Sequence, residues 1–208
     1  MAIDVSRKAH IEAVLGSAGS GKSSFVKREI RRLKPKRLMV FDPEGEWGDF
    51  GRVTSSLQDV IAACTAAGEA GALRVVFVPS PVPELAVKQF DTFCRIAFAA
   101  QTLTFVVDEL KLVTTPSRSP IGWGMLSGRG RKYGITIYGL SQRPASIDKD
   151  FLGNANFVRT GRLTYDADQR NVGAVMGVPA QEIGTLPDLG WIRKDMATGE
   201  TTRGKLKF

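Results

Sequence analysis

The sequence predicts an α/β fold, a mostly parallel sheet covered by helices on both faces. Three observations carry that expectation. Short runs rich in Val, Ile and Phe alternate with longer segments of helical periodicity, the pattern of strand–helix–strand units. The short runs are apolar almost throughout, as strands buried on both faces must be. A glycine-rich turn joins the first run to the first helical segment, and ligands of open α/β sheets bind beyond the carboxyl ends of the strands.

The elements follow in order. Ile11 to Leu15 reads as a buried strand, interrupted only by Glu12. Ser23 to Leu33 reads as a helix, with Phe25, Val26, Ile30 and Leu33 on one face, and Pro35 ends it. Arg37 to Phe41 is the second strand. Ser56 to Ala67 is a helix capped by Ser55 or Ser56 and stopped by Gly68. Leu73 to Val78 is the third strand. Pro83 to Ala100 is a helix with Leu85, Phe90, Phe93, Ile96 and Ala97 inward. Leu103 to Val107 is the fourth strand. A short helix over Trp123 to Tyr133 must tolerate three glycines, and Ile135 to Leu140 is the fifth strand. A strand at Phe157 to Gly161, a helix at Ala167 to Met176 and a two-stranded finish at Trp191 to Arg193 and Thr201 to Lys207 complete the chain.

Composition bounds the function. The 208 residues are 43% hydrophobic, which fits one domain over 1–208 with a sizeable core. That core is expected at about 9–161, with a C-terminal helix and small β extension over 162–208. This composition excludes a disordered chain, a collagen-like repeat and a disulfide scaffold. No apolar stretch is long enough to span a bilayer, and MAIDVSRKAH has no apolar run after its basic residues, so no signal peptide is expected. Cys64 and Cys94 lack metal-ligand spacing and read as small core residues in a reducing compartment. A single histidine, His10, excludes any site that needs two imidazoles. The net charge of +8 is unevenly placed: Met1 to Arg37 holds ten basic and three acidic residues, and Leu110 to Ile147 holds six basic and none acidic. Such segregation points to a polyanion partner.

Residues 16–23 read GSAGSGKS, the full G-x-x-x-x-G-K-[ST] pattern between a strand and a helix. Gly16, Gly19 and Gly21 let the backbone curl and aim its N–H groups inward, over Ser17, Ala18, Ser20 and on to Ser24. The helix N-terminus completes an anion cradle. Lys22 would neutralise the β- and γ-phosphates of ATP, and Ser23 would place its hydroxyl on Mg²⁺. Leu103 to Glu109, LTFVVDE, is an apolar strand ending in two carboxylates. Asp108 suits the Mg²⁺ shell, and Glu109 suits a general base for an attacking water. The fifth strand runs into Ser141-Gln142-Arg143-Pro144. In an inserted-strand ATPase it lies between the two motif strands, so Gln142 at its tip would face the γ-phosphate and report hydrolysis. Upstream, GRGRKYG offers Arg129 or Arg131 as an arginine finger, with Arg143 and Arg162 as weaker candidates. A finger supplied in trans implies a ring of subunits. Asp42 and Glu46 of DPEGEW could tune the water or the ring contact, and Trp47 reads as core or rim packing.

Taken together, GSAGSGKS, FDPEGEW, LTFVVDE and GRGRKYGITIYGLSQRP resemble the HerA/FtsK superfamily of DNA-pumping ATPases over Ile11 to Gly161. The short chain looks most like the compact genome-packaging ATPases of membrane-containing tailless viruses. The resemblance implies a RecA-like core with an additional strand, a hexameric ring, and ATP-driven movement of double-stranded DNA into a capsid. It carries catalytic roles onto Lys22, Ser23, Asp108, Glu109 and Gln142. It also implies a capsid-vertex or portal-like partner, and a place in the host cytoplasm or on the virion. Filamentous-phage-type export ATPases are a second reading, against which stands their usual transmembrane helix. A small-molecule phosphotransferase is a third, with Pro116 to Gly130 as a lid, and Glu109 speaks against it. A slowly hydrolysing nucleotide-gated switch is a fourth.

Overall fold

The computed structural model describes residues 10–207. The segment on which no leader is expected, with Arg7 and Lys8, lies outside the described residues apart from His10.

The chain runs β1 (Ile11–Leu15), α1 (Lys22–Leu33), β2 (Arg37–Phe41), β3 (Arg52–Thr54), α2 (Leu57–Ala67), β4 (Leu73–Phe77), α3 (Pro83–Ala100), β5 (Thr104–Val107), α4 (Ile121–Arg129), β6 (Thr136–Ser141), α5 (Lys149–Asn154), β7 (Phe157–Thr160), α6 (Asp166–Met176), α7 (Ala180–Gly184), β8 (Gly190–Asp195) and β9 (Thr201–Lys205). Among the described residues, one sheet holds nine strands in the order β3-β4-β2-β5-β6-β1-β7-β8-β9. Its first seven strands are parallel and the last two pair antiparallel. The mostly parallel α/β architecture is therefore as the sequence predicts. β6 is inserted between β5 and β1, which places the tips of three motif-bearing strands side by side.

Alternate strand residues feed two cores, as the pleat requires. Ile11, Ala13, Leu15, Met39, Phe41, Phe105 and Val107 pack under α2 to α7, around Phe90, Phe93, Trp123 and Phe151. Val14, Val40, Val106 and Leu140 face the other way and meet Phe25, Val26 and Ile30 of α1, together with Trp47, Phe50 and Leu206. The cover is lopsided: among the described residues α1 is the only α-helix contributing to the second core, and the 3₁₀ turn before β3 and the segment after β9 finish it.

Several expectations need correction. In α3 the buried stripe is Ala86, Phe90, Phe93, Cys94 and Ala97. Leu85 is one position, about 100° of helix, off that stripe and is 47% exposed. Leu33 closes α1 at 49% exposure, because the helix ends beyond the reach of the core. The helix expected over Trp123 to Tyr133 is α4 followed by a 3₁₀ turn over Gly130–Tyr133, the tighter winding falling at the third glycine. β3, α5 and α7 were not expected. They have three, six and five residues, too few to show a period, and β3 is an exposed edge. Ser56 does cap α2, its hydroxyl accepting from the Asp59 N–H at 3.2 Å. Cys94 is buried and Cys64 half-buried, both free.

Candidate active site

The site is built at the carboxyl edge of β1, β5 and β6. After Leu15 the chain turns through Gly16, Gly19 and Gly21, at φ 145°, 74° and 85°. Strand tips anchor the loop. Gly16 N–H donates to the Ser141 carbonyl at 3.2 Å, and the Ser17 N–H and hydroxyl both donate to the Arg162 carbonyl at 2.8 and 2.9 Å. Two glycines are required by contact. A Cβ on Gly161 would lie 2.8 Å from the Ser20 Cβ, and one on Gly21 would lie 3.0 Å from Leu206 Cδ2 at a left-handed φ. Ala18 and Gly19 form the exposed crown of the loop, while Ser20, Ser23 and Ser24 are half-buried.

α1 begins at Lys22 with no acidic residue in its first turn, so its positive end stays available to an anion. Lys22 Nζ donates to the Ser17 carbonyl at 3.0 Å across the loop. Burial lowers the pKa of Lys22, opposed by Glu109 and Asp108 and reinforced by Lys111. The ammonium is thus held in a partly dry pocket, where its attraction to a phosphate is strong.

Ser23 Oγ stands 3.4 Å from each carboxylate oxygen of Asp108, at the tip of β5. Trp47 Nε1–H donates to Asp108 Oδ2 at 2.7 Å. Burial raises the pKa of Asp108; the Trp47 bond opposes this, and Asp42, Glu46 and Glu109 add to it. A divalent cation beside Asp108 would relieve that crowding of negative charge. The oxygen-only donor pair Ser23 and Asp108 fits Mg²⁺.

Glu109 is buried, in left-handed backbone at φ 73°. Its Oε1 accepts from Ser141 Oγ at 3.0 Å and from the Gln142 N–H at 3.2 Å, and Oε2 accepts from the same N–H at 3.2 Å. One side chain therefore ties the tip of β5 to the tip of β6. A non-glycine residue held at this φ, at the end of a packed strand, marks stored strain of the kind found at functional sites. Gln142 is half-buried just beyond β6, between the phosphate loop and Glu109 in the strand order.

The arginines separate into groups. Arg143 Nε bonds Asp168 at 2.7 Å and its guanidinium lies 3.9 Å from the Tyr165 ring, so Arg143 is committed to α6. Arg162 pairs with Asp188 at 2.9 Å beside the loop. Arg129 and Arg131 are exposed and lie before β6, at the opposite edge of the sheet from the phosphate loop. The site within one chain does not include them.

Asp42 is fully buried and its two oxygens accept from the N–H groups of Glu46 and Trp47 at 3.0 and 2.9 Å. It caps its own turn, tying the 42–47 loop together from inside. Glu46 points outward to Lys27 at 3.7 Å. Trp47 is core packing, as the sequence suggests, but its indole N–H also reaches Asp108. Sequence reasoning overlooked that link, along with Ser141 and the Arg162 carbonyl. Ser141 could have been found from its place beside Gln142. A backbone carbonyl leaves no signal in side-chain pattern.

This geometry agrees with what the chain resembles. Residues 2–111 match the family model described as Helicase HerA, central domain. The chain belongs to that family. It is a HerA/FtsK-type P-loop NTPase, and the insertion of β6 between β5 and β1 is the additional strand of its RecA-like sheet. Protein P9 of Pseudoalteromonas phage PM2 is 29% identical over 180 residues, covering 85% of this chain and 79% of that protein. The genome packaging NTPase B204 of Sulfolobus turreted icosahedral virus 2, solved with AMPPCP, superposes with a TM-score of 0.76 at 15% identity over 96% of this chain and 98% of that one. VirB4 of Thermoanaerobacter pseudethanolicus gives 0.65 at 12% identity, over 95% and 89% of the two chains. At these identities the structural likenesses speak for the HerA fold alone.

Proposed function

We propose that the chain is a single-domain ATP-hydrolysing motor subunit that moves double-stranded DNA to package a viral genome. One observation carries this reading: Lys22, Ser23, Asp108, Glu109 and Gln142, from three strand tips, meet at one edge of the sheet. The core of about 9–161 holds the site, and 162–208 is its C-terminal extension. Family membership and the likeness to a packaging NTPase support the choice of cargo.

The chemistry follows from the parts. The loop N–H groups and Lys22 bind and orient the triphosphate. Ser23 and Asp108 would hold Mg²⁺, which when bound neutralises charge on the phosphate oxygens. Glu109 takes a proton from the attacking water. Gln142 senses the γ-phosphate, and because its own N–H holds Glu109, a shift at the β6 tip also moves the base. Two outputs leave the site. Gln142 leads directly into Arg143, which is bonded to α6, and Glu109 leads into the basic segment Lys111 to Arg118. That segment is entered through a 3₁₀ turn at Leu110–Leu112 and contains a tight turn closed by Thr115 and Arg118. Its exposed Lys111 and Arg118 would grip DNA phosphates, giving salt-sensitive binding without sequence preference. Arg129 or Arg131 would serve a neighbouring subunit in a hexameric ring, docked on a capsid vertex in the host cytoplasm or on the virion. No described helix is long and apolar enough to cross a membrane.

The test is ATP hydrolysis across a salt series, with and without long double-stranded DNA, beside Glu109→Gln and with assembly followed by light scattering. DNA-stimulated, salt-sensitive turnover from an assembled ring is expected. DNA-indifferent turnover by a monomer would overturn the reading in favour of phosphoryl transfer to a small acceptor.

A further inference from the structure

We propose that Trp47 is a positioning residue for the divalent-cation shell, acting through Asp108; the inference rests on the reading of this site as a Mg²⁺–ATP site. Trp47 is fully buried, and a buried indole N–H needs an acceptor. The acceptor is a carboxylate oxygen of Asp108 at 2.7 Å, a short charge-assisted bond. Among the described residues, Trp47 and Ser23 are the two side chains that donate to Asp108. Trp47 is itself held from two sides. Asp42 accepts from its N–H at 2.9 Å. Lys27 of α1 donates to the Glu46 carbonyl at 2.8 Å and sits 5.1 Å from the Trp47 ring.

These contacts close a circuit. Ser23 and Lys27 are one helical turn apart on α1. Ser23 reaches Asp108 directly, and Lys27 reaches it through the 42–47 turn and the Trp47 indole. The Asp108 carboxylate is therefore fixed in rotation relative to the Ser23 hydroxyl by groups from the turn after β2 and from α1, not only by its own strand. A packing residue would need none of this polar work, and a phenylalanine would fill most of the same space. Outer partners that orient a metal-binding carboxylate typically change metal affinity 10–100-fold when removed.

The test uses Trp47→Phe and, to hold shape constant, site-specific replacement of Trp47 by benzothienylalanine, which has sulfur in place of the N–H. Phe50→Leu is the packing control, since Phe50 packs on Trp47 at 5.2 Å. The readouts are Mn²⁺ binding by electron paramagnetic resonance in the presence of ATPγS, and ATPγS affinity with Mg²⁺ against EDTA. Both Trp47 variants should weaken Mn²⁺ binding by about 10–100-fold, leave ATPγS affinity in EDTA within a few-fold of wild type, and exceed any effect of Phe50→Leu. Unchanged Mn²⁺ affinity in the benzothienylalanine protein, or an equal loss in Phe50→Leu, would overturn the role of Trp47. Failure of the wild type itself to couple Mn²⁺ and nucleotide would instead overturn the underlying site assignment.

Discussion

Glu109 does three things at once, and a series at this position separates them. It carries a carboxylate, it accepts from Ser141 and Gln142, and it holds backbone at φ 73°. Glu109→Gln keeps an acceptor oxygen but turns two charge-assisted bonds into neutral ones, a loss of about 1 kcal/mol each. In a chain of this length each kcal/mol lowers Tm by about 2–4 °C, so a fall of roughly 4–8 °C is expected. Glu109→Ala leaves the Ser141 hydroxyl and the Gln142 N–H without their acceptor, at about 1–3 kcal/mol each. Glu109→Gly makes the same loss but is free of the left-handed penalty, about 1–2 kcal/mol, less about 0.5–1 kcal/mol of glycine chain entropy. Gly should therefore be more stable than Ala by up to about 1.5 kcal/mol, an inversion of the usual order. Thermal melts rank the variants, a fluorescent ATP analogue gives affinity, and phosphate release gives turnover. Turnover should fall by about 10²–10⁴ in all three, with affinity for ATP retained in Gln. Retained turnover in Glu109→Gln would remove Glu109 as the base. An Ala variant as stable as Gly would show that the backbone does not carry the strain.

Arg129→Ala and Arg131→Ala, at exposed positions, should leave Tm within about 1–2 °C of wild type. Whichever arginine is the finger should lose turnover alone and regain it when mixed with Lys22→Ala subunits, as read by phosphate release from the mixture. Arg143→Ala should destabilise instead, by about 1–3 kcal/mol in a denaturant titration. It strips the partner from fully buried Asp168, and the loss falls below that of a fully buried pair because Arg143 is 35% exposed. Glu12 gives a pH signature. Burial pushes its pKa up, but the bonds to His10 and Arg193 outweigh that and hold it below the ordinary 4.5. Its contribution to stability is present above that value and lost as pH falls through the lowered one, so Glu12→Gln should flatten the acid side of a Tm-versus-pH curve.

Much of this was legible because the informative residues are punctuation. Gly16 to Ser23 states its own backbone geometry, and Pro35, Ser56 and Gly68 mark the ends they are found at. Apolar runs such as RLMVF, too short for a helix and flanked by Pro35 and Pro43, read as strands buried on both faces. The order of strands was legible through the motifs alone, since nothing local in Thr136–Ser141 says that it will insert between β5 and β1. What stayed hidden was of two kinds. Short elements such as β3 and α7 are fixed by tertiary pairing and carry no period. Long-range polar bonds, such as Trp47 to Asp108 across 61 positions, depend on which strand tips become neighbours, and no pattern within either segment encodes that.

The inserted strand also decides where a finger arginine can act. Arg129 and Arg131 enter β6 at its amino end, and Gln142 leaves it at its carboxyl end. Six residues of strand at about 3.3 Å each put about 20 Å between them, more than twice the reach of an arginine side chain. The same strand that places Gln142 beside the phosphate loop therefore removes the arginines from it. An arginine here can act on a nucleotide only if a second copy presents its carboxyl edge to the first copy's amino edge. Two different edges in contact make a head-to-tail interface, and repeated head-to-tail contacts either close into a ring or run on as a filament. A finger drawn from GRGRK thus carries an assembly rule with it: loss of assembly and loss of turnover should appear together on dilution of the wild type, and turnover that persists in a demonstrated monomer would exclude both arginines from catalysis.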